Sequence, residues 1–121
     1  MRKREEQMDA VLCAANASSM QFYFNEERYG ILPEEIKKEL KVICVLYCAD
    51  VGGIINFSFN SAHSLEITTM QPIDEIGAEL KVRQIQREHA ELFEKLEAFD
   101  RQYAALRDGK NVKENDEQNN R

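Results

Sequence analysis

Apolar positions change their period once, sharply, near the middle of the chain. From Pro33 onward Ile36, Leu40, Ile43 and Tyr47 recur at helical spacing, Pro33 suits a first helical turn, and Glu34 and Glu35 oppose the N-terminal dipole. Val42 to Ala49 is apolar on every side and rich in β-branched residues, which also fits a buried strand. The run exceeds ordinary strand length, however, and Gly52 can take the left-handed conformation that ends a helix without a Cβ penalty. The pattern therefore predicts one central helix over 33–51. After Gly52-Gly53 the period becomes two: Ile55, Phe57 and Phe59 alternate with Asn56, Ser58 and Asn60, then Leu65, Ile67 and Thr69 with Ser64, Glu66 and Thr68. This predicts an antiparallel hairpin with one wet and one buried face, turning at Asn60-Ser61-Ala62-His63. A hairpin alone is marginal in water, so the central helix is expected to cover its apolar face.

On either side the periods are helical again or short. Met8, Val11, Leu12 and Ala15 make one stripe and predict a first helix over 4–16. Gln21 to Asn25 alternates around Phe22 and Phe24 and predicts a short third strand, followed by a polar loop over 26–30. From Pro72 to about Arg107 the period predicts a long helix with two stripes. Ile73, Ile76 and Leu80 lie on one face, whereas Val82, Ile85, His89, Leu92, Leu96, Phe99, Tyr103 and Leu106 follow steps of three and four on another. Such a helix needs two partners, or one that wraps it. Its 36 residues would span about 54 Å, against a diameter of about 35 Å for a compact domain of this length. A straight rod would overhang its own domain with an apolar stripe that a monomer does not leave in water. Either the N-terminal helix covers that stripe or the same helix of a second chain does. The expected reading is a homodimer with Ile85, His89, Leu92, Leu96, Phe99, Tyr103 and Leu106 at the interface. The fold class expected is α+β, with a small antiparallel sheet packed on helices in the order α-β-α-β-β-α. Residues 1–107 form one domain in this reading, and 108–121 a polar, disordered tail.

Composition narrows the function classes. The formal net charge is −6 and the pI about 5.0, which disfavours a phosphate backbone as partner without a local basic patch. The one basic cluster, Arg2-Lys3-Arg4, is short and followed at once by Glu5-Glu6. No stretch reaches the ~18 consecutive apolar residues of a membrane span, and the N-terminus lacks the layout of a signal peptide. A cytoplasmic protein is expected, without nucleic-acid or membrane partners. The three cysteines, Cys13, Cys44 and Cys48, are then best read as reduced, buried, small apolar groups.

Candidate chemistry is thin. Cys44 and Cys48 would share a helix face, but two thiolates do not complete a tetrahedral metal site, and His63 and His89 fall on other elements. Their apolar surroundings also disfavour a reactive thiol. His89 sits where a seam would carry an aliphatic residue, so a pH-responsive role is weighed against a partly exposed histidine bonded to a glutamate, and the second is preferred. Asp74 and Glu75 are explained by the helix dipole rather than by acid-base work. Gly52-Gly53 lacks the rest of a phosphate-binding loop. No catalytic, cofactor or metal residue is assigned.

The segments Tyr23-Phe24-Asn25, Leu32-Pro33-Glu34-Glu35-Ile36-Lys37-Lys38-Glu39-Leu40, Asp50-Val51-Gly52-Gly53-Ile54, Asp74-Glu75-Ile76-Gly77 and Glu91-Leu92-Phe93, taken together, give a resemblance. The chain resembles an uncharacterised family of small proteins from clostridial, Gram-positive anaerobic bacteria, a domain of unknown function. The resemblance implies a bacterial cytoplasmic protein and no activity. The expected function is a non-enzymatic interaction or regulatory module, with an acidic secretion-type chaperone as a narrower version by architectural analogy. The alternative is a small-molecule binder or enzyme with a pocket between the hairpin and the central helix, near Tyr47 and the cysteines.

Overall fold

The computed structural model describes residues 11–103 and has an α+β fold. Strands β1 (Val11–Asn16), β2 (Gln21–Phe24), β3 (Ile54–Phe59) and β4 (Leu65–Met70) form one antiparallel sheet in the order β2-β1-β3-β4. One face of this sheet is polar, with Asn56, Ser58, Glu66 and Thr68 on it. The other carries Cys13, Ala15, Ile55, Phe57 and Phe59, all buried, and supports the helices. These are α1 (Glu26–Tyr29), α2 (Glu34–Val51), α3 (Glu75–Glu88) and α4, which covers 90–103 of the described residues.

The central helix and the hairpin form where the periodicity places them. α2 buries Leu40, Ile43, Cys44, Tyr47 and Val51 along its sheet-facing side. Gly52 (φ +77) and Gly53 (φ +74) then turn the chain into β3; a Cβ on Gly53 would collide with the Met70 and Gln71 carbonyls, so only glycine fits there. The hairpin turn is built by Asn60, whose Oδ1 accepts from the backbone N–H of Ala62 (2.9 Å) and Ser64 (3.0 Å), with His63 at φ +66. Residues 21–24 are the expected short strand.

Two expectations are corrected. The described part of the predicted first helix, 11–16, is a strand in the middle of the sheet, paired with both β2 and β3. The reason is a register shift between Val11 and Cys13, which leaves Leu12 as an extra residue. Leu12 and Cys13 are both fully buried, so the strict alternation of a strand is broken, and Val11, Leu12 and Ala15 acquire helix-like spacing. Residues 1–10 and the polar tail lie outside the described residues. The second correction is the segment 26–30, read as a loop. Glu26 to Tyr29 is one helical turn capped by the Asn25 side chain, which accepts from Arg28 N–H (3.1 Å) while its own amide donates to the Val11 carbonyl (2.8 Å). The described elements thus run β-β-α-α-β-β-α-α.

The long C-terminal helix is present and bends at His89, which leaves helical geometry (φ −116, ψ 27). Beyond the bend α4 lies on the sheet. Leu92, Phe93 and Leu96 join the core, and the Phe93 ring meets Phe57 edge-on with centroids 5.8 Å apart. α3 runs antiparallel to α2, because Ile73 N–H donates to the Val51 carbonyl (2.9 Å) at one end and His89 Nδ1 lies 3.3 Å from Glu39 at the other. Lys81 and Asp50 (2.8 Å) tie the pair between those points.

Candidate functional site

The residues expected at a dimer seam are brought together, but within the subunit. Ile85, Leu92 and Leu96 are buried in the chain's own core, and Phe99 packs partly buried against Tyr29. Tyr103 stacks on Phe99 with centroids 5.6 Å apart, and His89 bonds Glu39 with its side chain about a quarter exposed (26%). Leu106 lies outside the described residues. The bend at His89 therefore removes the overhang from which self-pairing along this stripe was argued, and His89 is the partly exposed, glutamate-bonded histidine preferred above.

Folding α4 back also assembles a polar cluster. Asp100, 2% exposed, accepts from the Tyr29 hydroxyl through Oδ1 (2.7 Å) and faces His63 Nδ1 through Oδ2 (2.8 Å). Arg28 Nε donates to the same Tyr29 oxygen (3.1 Å). One carboxylate thus joins α1, the hairpin turn and α4. Beside it Glu97 accepts from Leu65 N–H (2.7 Å), a second clasp of α4 on the hairpin. Burial and then the Asp100 carboxylate hold the Tyr29 phenol well above the ordinary range. A raised phenol favours the fold while it stays protonated, so this contribution is full below about pH 10 and is lost as pH rises further. An Asp–His pair is a fragment of acid-base machinery. Here, however, both Asp100 oxygens are committed to holding elements in place, and the cluster reads as a clamp.

The cysteines divide differently from expectation. Cys44 meets Cys13 of β1, Sγ to Sγ 3.9 Å, and both are fully buried, whereas Cys48 is half-buried with its thiol toward the Gly53 carbonyl (3.9 Å). The hydrogen bond with Cys44 and then burial push the Cys13 thiol up; burial, then the neighbouring Cys44, does the same for Cys48. In the native protein a thiol reagent is expected to modify Cys48 alone, with Cys13 and Cys44 reacting only on unfolding. Mass spectrometry of the labelled peptides checks this, and rapid labelling of Cys13 would contradict it. Of the residues near the pocket expected between the hairpin and the central helix, Tyr47, Cys13 and Cys44 have no exposed surface and Cys48 is half-buried. Among the described residues no group of three or more His, Cys, Asp or Glu is placed to hold a metal ion, and no helix is long and apolar enough to cross a membrane.

Among the charged residues of the outer surface stand several exposed aliphatics. Val42, Val45 and Leu46 on α2 are about half exposed, and Ile73, Ile76 and Leu80 on and before α3 are 62–88% exposed. Steps of three and four put Val42, Val45 and Leu46 on the outward face of α2 and Ile76 and Leu80 on that of α3, opposite the buried sides that hold Ile43 and Tyr47 on α2 and Ala78 and Ile85 on α3, while Ile73 lies in the segment leading into α3. The Lys81–Asp50 pair and the Ile73–Val51 bond hold the two helices side by side. This is the stripe of Ile73, Ile76 and Leu80 noted in the sequence, now joined by a stripe on α2. Scattered exposed hydrophobes are ordinary, but six aliphatics exposed by about half or more on and beside two neighbouring helices are more than scatter.

No curated protein and no solved structure matches the chain. A family model matches residues 9–108, which include all of the described residues, and on that match the chain belongs to a family of unknown function, DUF6145.

Proposed function

We propose that the chain is a non-enzymatic, cytoplasmic protein-interaction module of clostridial type that presents the outer face of α2 and α3 to a protein partner. The observation carrying this is the exposed aliphatic patch of Val42, Val45, Leu46, Ile73, Ile76 and Leu80, because keeping such a surface in water costs solubility unless something covers it. The charged rim around it, with Lys38, Asp50, Glu79 and Arg87 exposed, matches the apolar core and polar border of a transient interface. The acidic secretion-type chaperone is a narrower form of the same reading, supported by the net charge of −6 and an apolar docking face.

The test is a photoreactive amino acid placed at Leu46 or Leu80 in the full chain expressed in cells. Adducts of discrete mass are expected from these positions and not from Asn56 on the polar sheet face. Equal labelling from Asn56, or none from Leu46 and Leu80, would remove the reading.

A further inference from the structure

We propose that the free edge of β4 is an interaction surface and that its partner is the β4 edge of a second copy of the chain, joined antiparallel about a two-fold axis at Thr68. This surface is separate from the helix face described above. Three observations carry it.

The first is which main-chain groups the sheet leaves open. Antiparallel strands turn the N–H and C=O of alternate residues toward each neighbour. Asn60 N–H donates to the Ser64 carbonyl (3.0 Å), so in the register of β3 and β4 the groups of Glu66, Thr68 and Met70 bond β3, and those of Leu65, Ile67 and Thr69 point to the free side. Glu97 takes the Leu65 N–H (2.7 Å), in agreement with that direction. Among the described residues, nothing on that side bonds the N–H or the carbonyl of Ile67 or Thr69.

The second is how little guards this edge. Sheets blunt an exposed edge with a short strand, a lysine, a proline or a bulge. The opposite edge, β2, is four residues long. β4 is six residues long, pairs with β3 in one unbroken register, and contains neither lysine nor proline. Its centre, Ile67-Thr68-Thr69, is β-branched throughout, a composition that suits strand pairing. The chain's own remaining segments are poor strands to add here: 1–10 and 104–121 contain one β-branched residue between them, Val112, and no aromatic.

The third selects the partner and the register. A second β4 laid antiparallel with Thr68 on Thr68 sets Ile67 opposite the partner's Thr69. These residues exchange both N–H···O bonds and the two-fold repeats the exchange, so every open group of Ile67 and Thr69 is satisfied while Glu97 keeps the Leu65 N–H. Thr68 meets its own counterpart, a favourable cross-strand pair, and Glu66 falls opposite the partner's Met70, which keeps the two carboxylates apart. Moving the axis to Ile67 would require the Leu65 N–H that Glu97 holds. Moving it to Thr69 would require Gln71, whose φ of +54 takes it out of the strand. The edge is complementary to itself in one register, and the pair continues the sheet from one chain into the next.

The experiment uses the full chain with Thr68→Lys and Thr68→Glu, substitutions on the exposed polar face. Light scattering of the unaltered chain is expected to show the mass rising with concentration from 14.0 kDa toward twice that value. Each variant alone places like charges opposite each other across the axis and is expected to stay at 14.0 kDa with an unchanged far-ultraviolet circular dichroism spectrum. An equal mixture of the two is expected to recover the doubled mass, because Lys then faces Glu. Thr69→Pro removes an N–H that the β3–β4 ladder does not use and is expected to abolish pairing as well. Amide exchange at Ile67 and Thr69 is expected to slow as the unaltered chain dimerises.

An unaltered chain that stays monomeric at every concentration overturns the proposal, and the photoadducts at Leu46 and Leu80, which report on the helix face alone, show whether the interaction reading falls with it. A dimer that persists in both Thr68 variants pairs through another surface and overturns it. Slow exchange at Ile67 and Thr69 in a sample whose mass is 14.0 kDa would mean that the chain covers its own edge, and overturns it too.

Discussion

Asp100→Ala is expected to lower the free energy of unfolding by about 3 kcal/mol, measured by urea denaturation at neutral pH. The substitution removes the acceptor of a fully buried phenol, Tyr29, and the counter-group of His63 in one step. The cost of leaving a buried polar group without its hydrogen-bond partner, ~1–3 kcal/mol, is discounted at one end, because the His63 side chain is 32% exposed and water can replace its partner. The Tyr29 end has no such relief. Asp100→Asn keeps one oxygen acceptor and should cost less, and Tyr29→Phe should leave His63 paired. The hairpin turn adds a second consequence. His63 is held at φ +66, a conformation that costs energy outside glycine, and its bond to Asp100 is one of the contacts that keep it there. Loss of the carboxylate should therefore raise hydrogen exchange at the turn over 60–64 more than at the far end of the hairpin. A loss of under ~1 kcal/mol on Asp100→Ala would mean that the cluster is not a clamp.

Leu96→Ala is expected to cost a similar ~3 kcal/mol, within the range for truncating a fully buried leucine, and the loss should not depend on protein concentration. Leu96 is 1% exposed in a core made by its own chain, among residues that include Phe93 and Phe57. A seam between chains would behave otherwise, since the stability of an obligate pair scales with concentration. Leu80→Ala offers the contrast. With Leu80 62% exposed, truncation should change the stability of the monomer by less than ~0.5 kcal/mol while weakening association. Thermal unfolding of the three proteins at low and high concentration separates core from interface. A concentration-dependent midpoint that Leu96→Ala abolishes would restore the seam to the interface.

Much of the fold was legible because some elements advertise themselves locally. α2 and the β3–β4 hairpin were readable from residue spacing, since a helix buries every third or fourth position and a half-exposed strand every second. β1 was not readable. Its extra residue at Leu12 shifts the phase of the strand, so its apolar positions imitate a helical stripe. The bend at His89 was equally silent. Sharp bends usually coincide with proline, glycine or a disrupted hydrogen-bond ladder, and the sequence around Gln86, Arg87, Glu88, His89 and Ala90 contains neither proline nor glycine. The polar cluster joins residues 37 and 71 positions apart, and the Cys13–Cys44 contact spans 31. No periodicity links such distances.

By itself, the sequence determined that the long C-terminal helical segment has two apolar stripes and that each needs a cover, because amphipathic spacing reports that a face is dry. Only the tertiary structure decided which cover each stripe receives. The bend at His89 swings Leu92, Leu96 and Phe99 onto the sheet of the same chain, and Ile73, Ile76 and Leu80 stay outside beside the exposed aliphatics of α2. Spacing along one helix contains no information about the angle at which the next segment leaves it. That angle follows from the packing of α4 on Phe57 and Tyr29 and from the Asp100 and Glu97 bonds to the hairpin, contacts that exist only once the chain has folded.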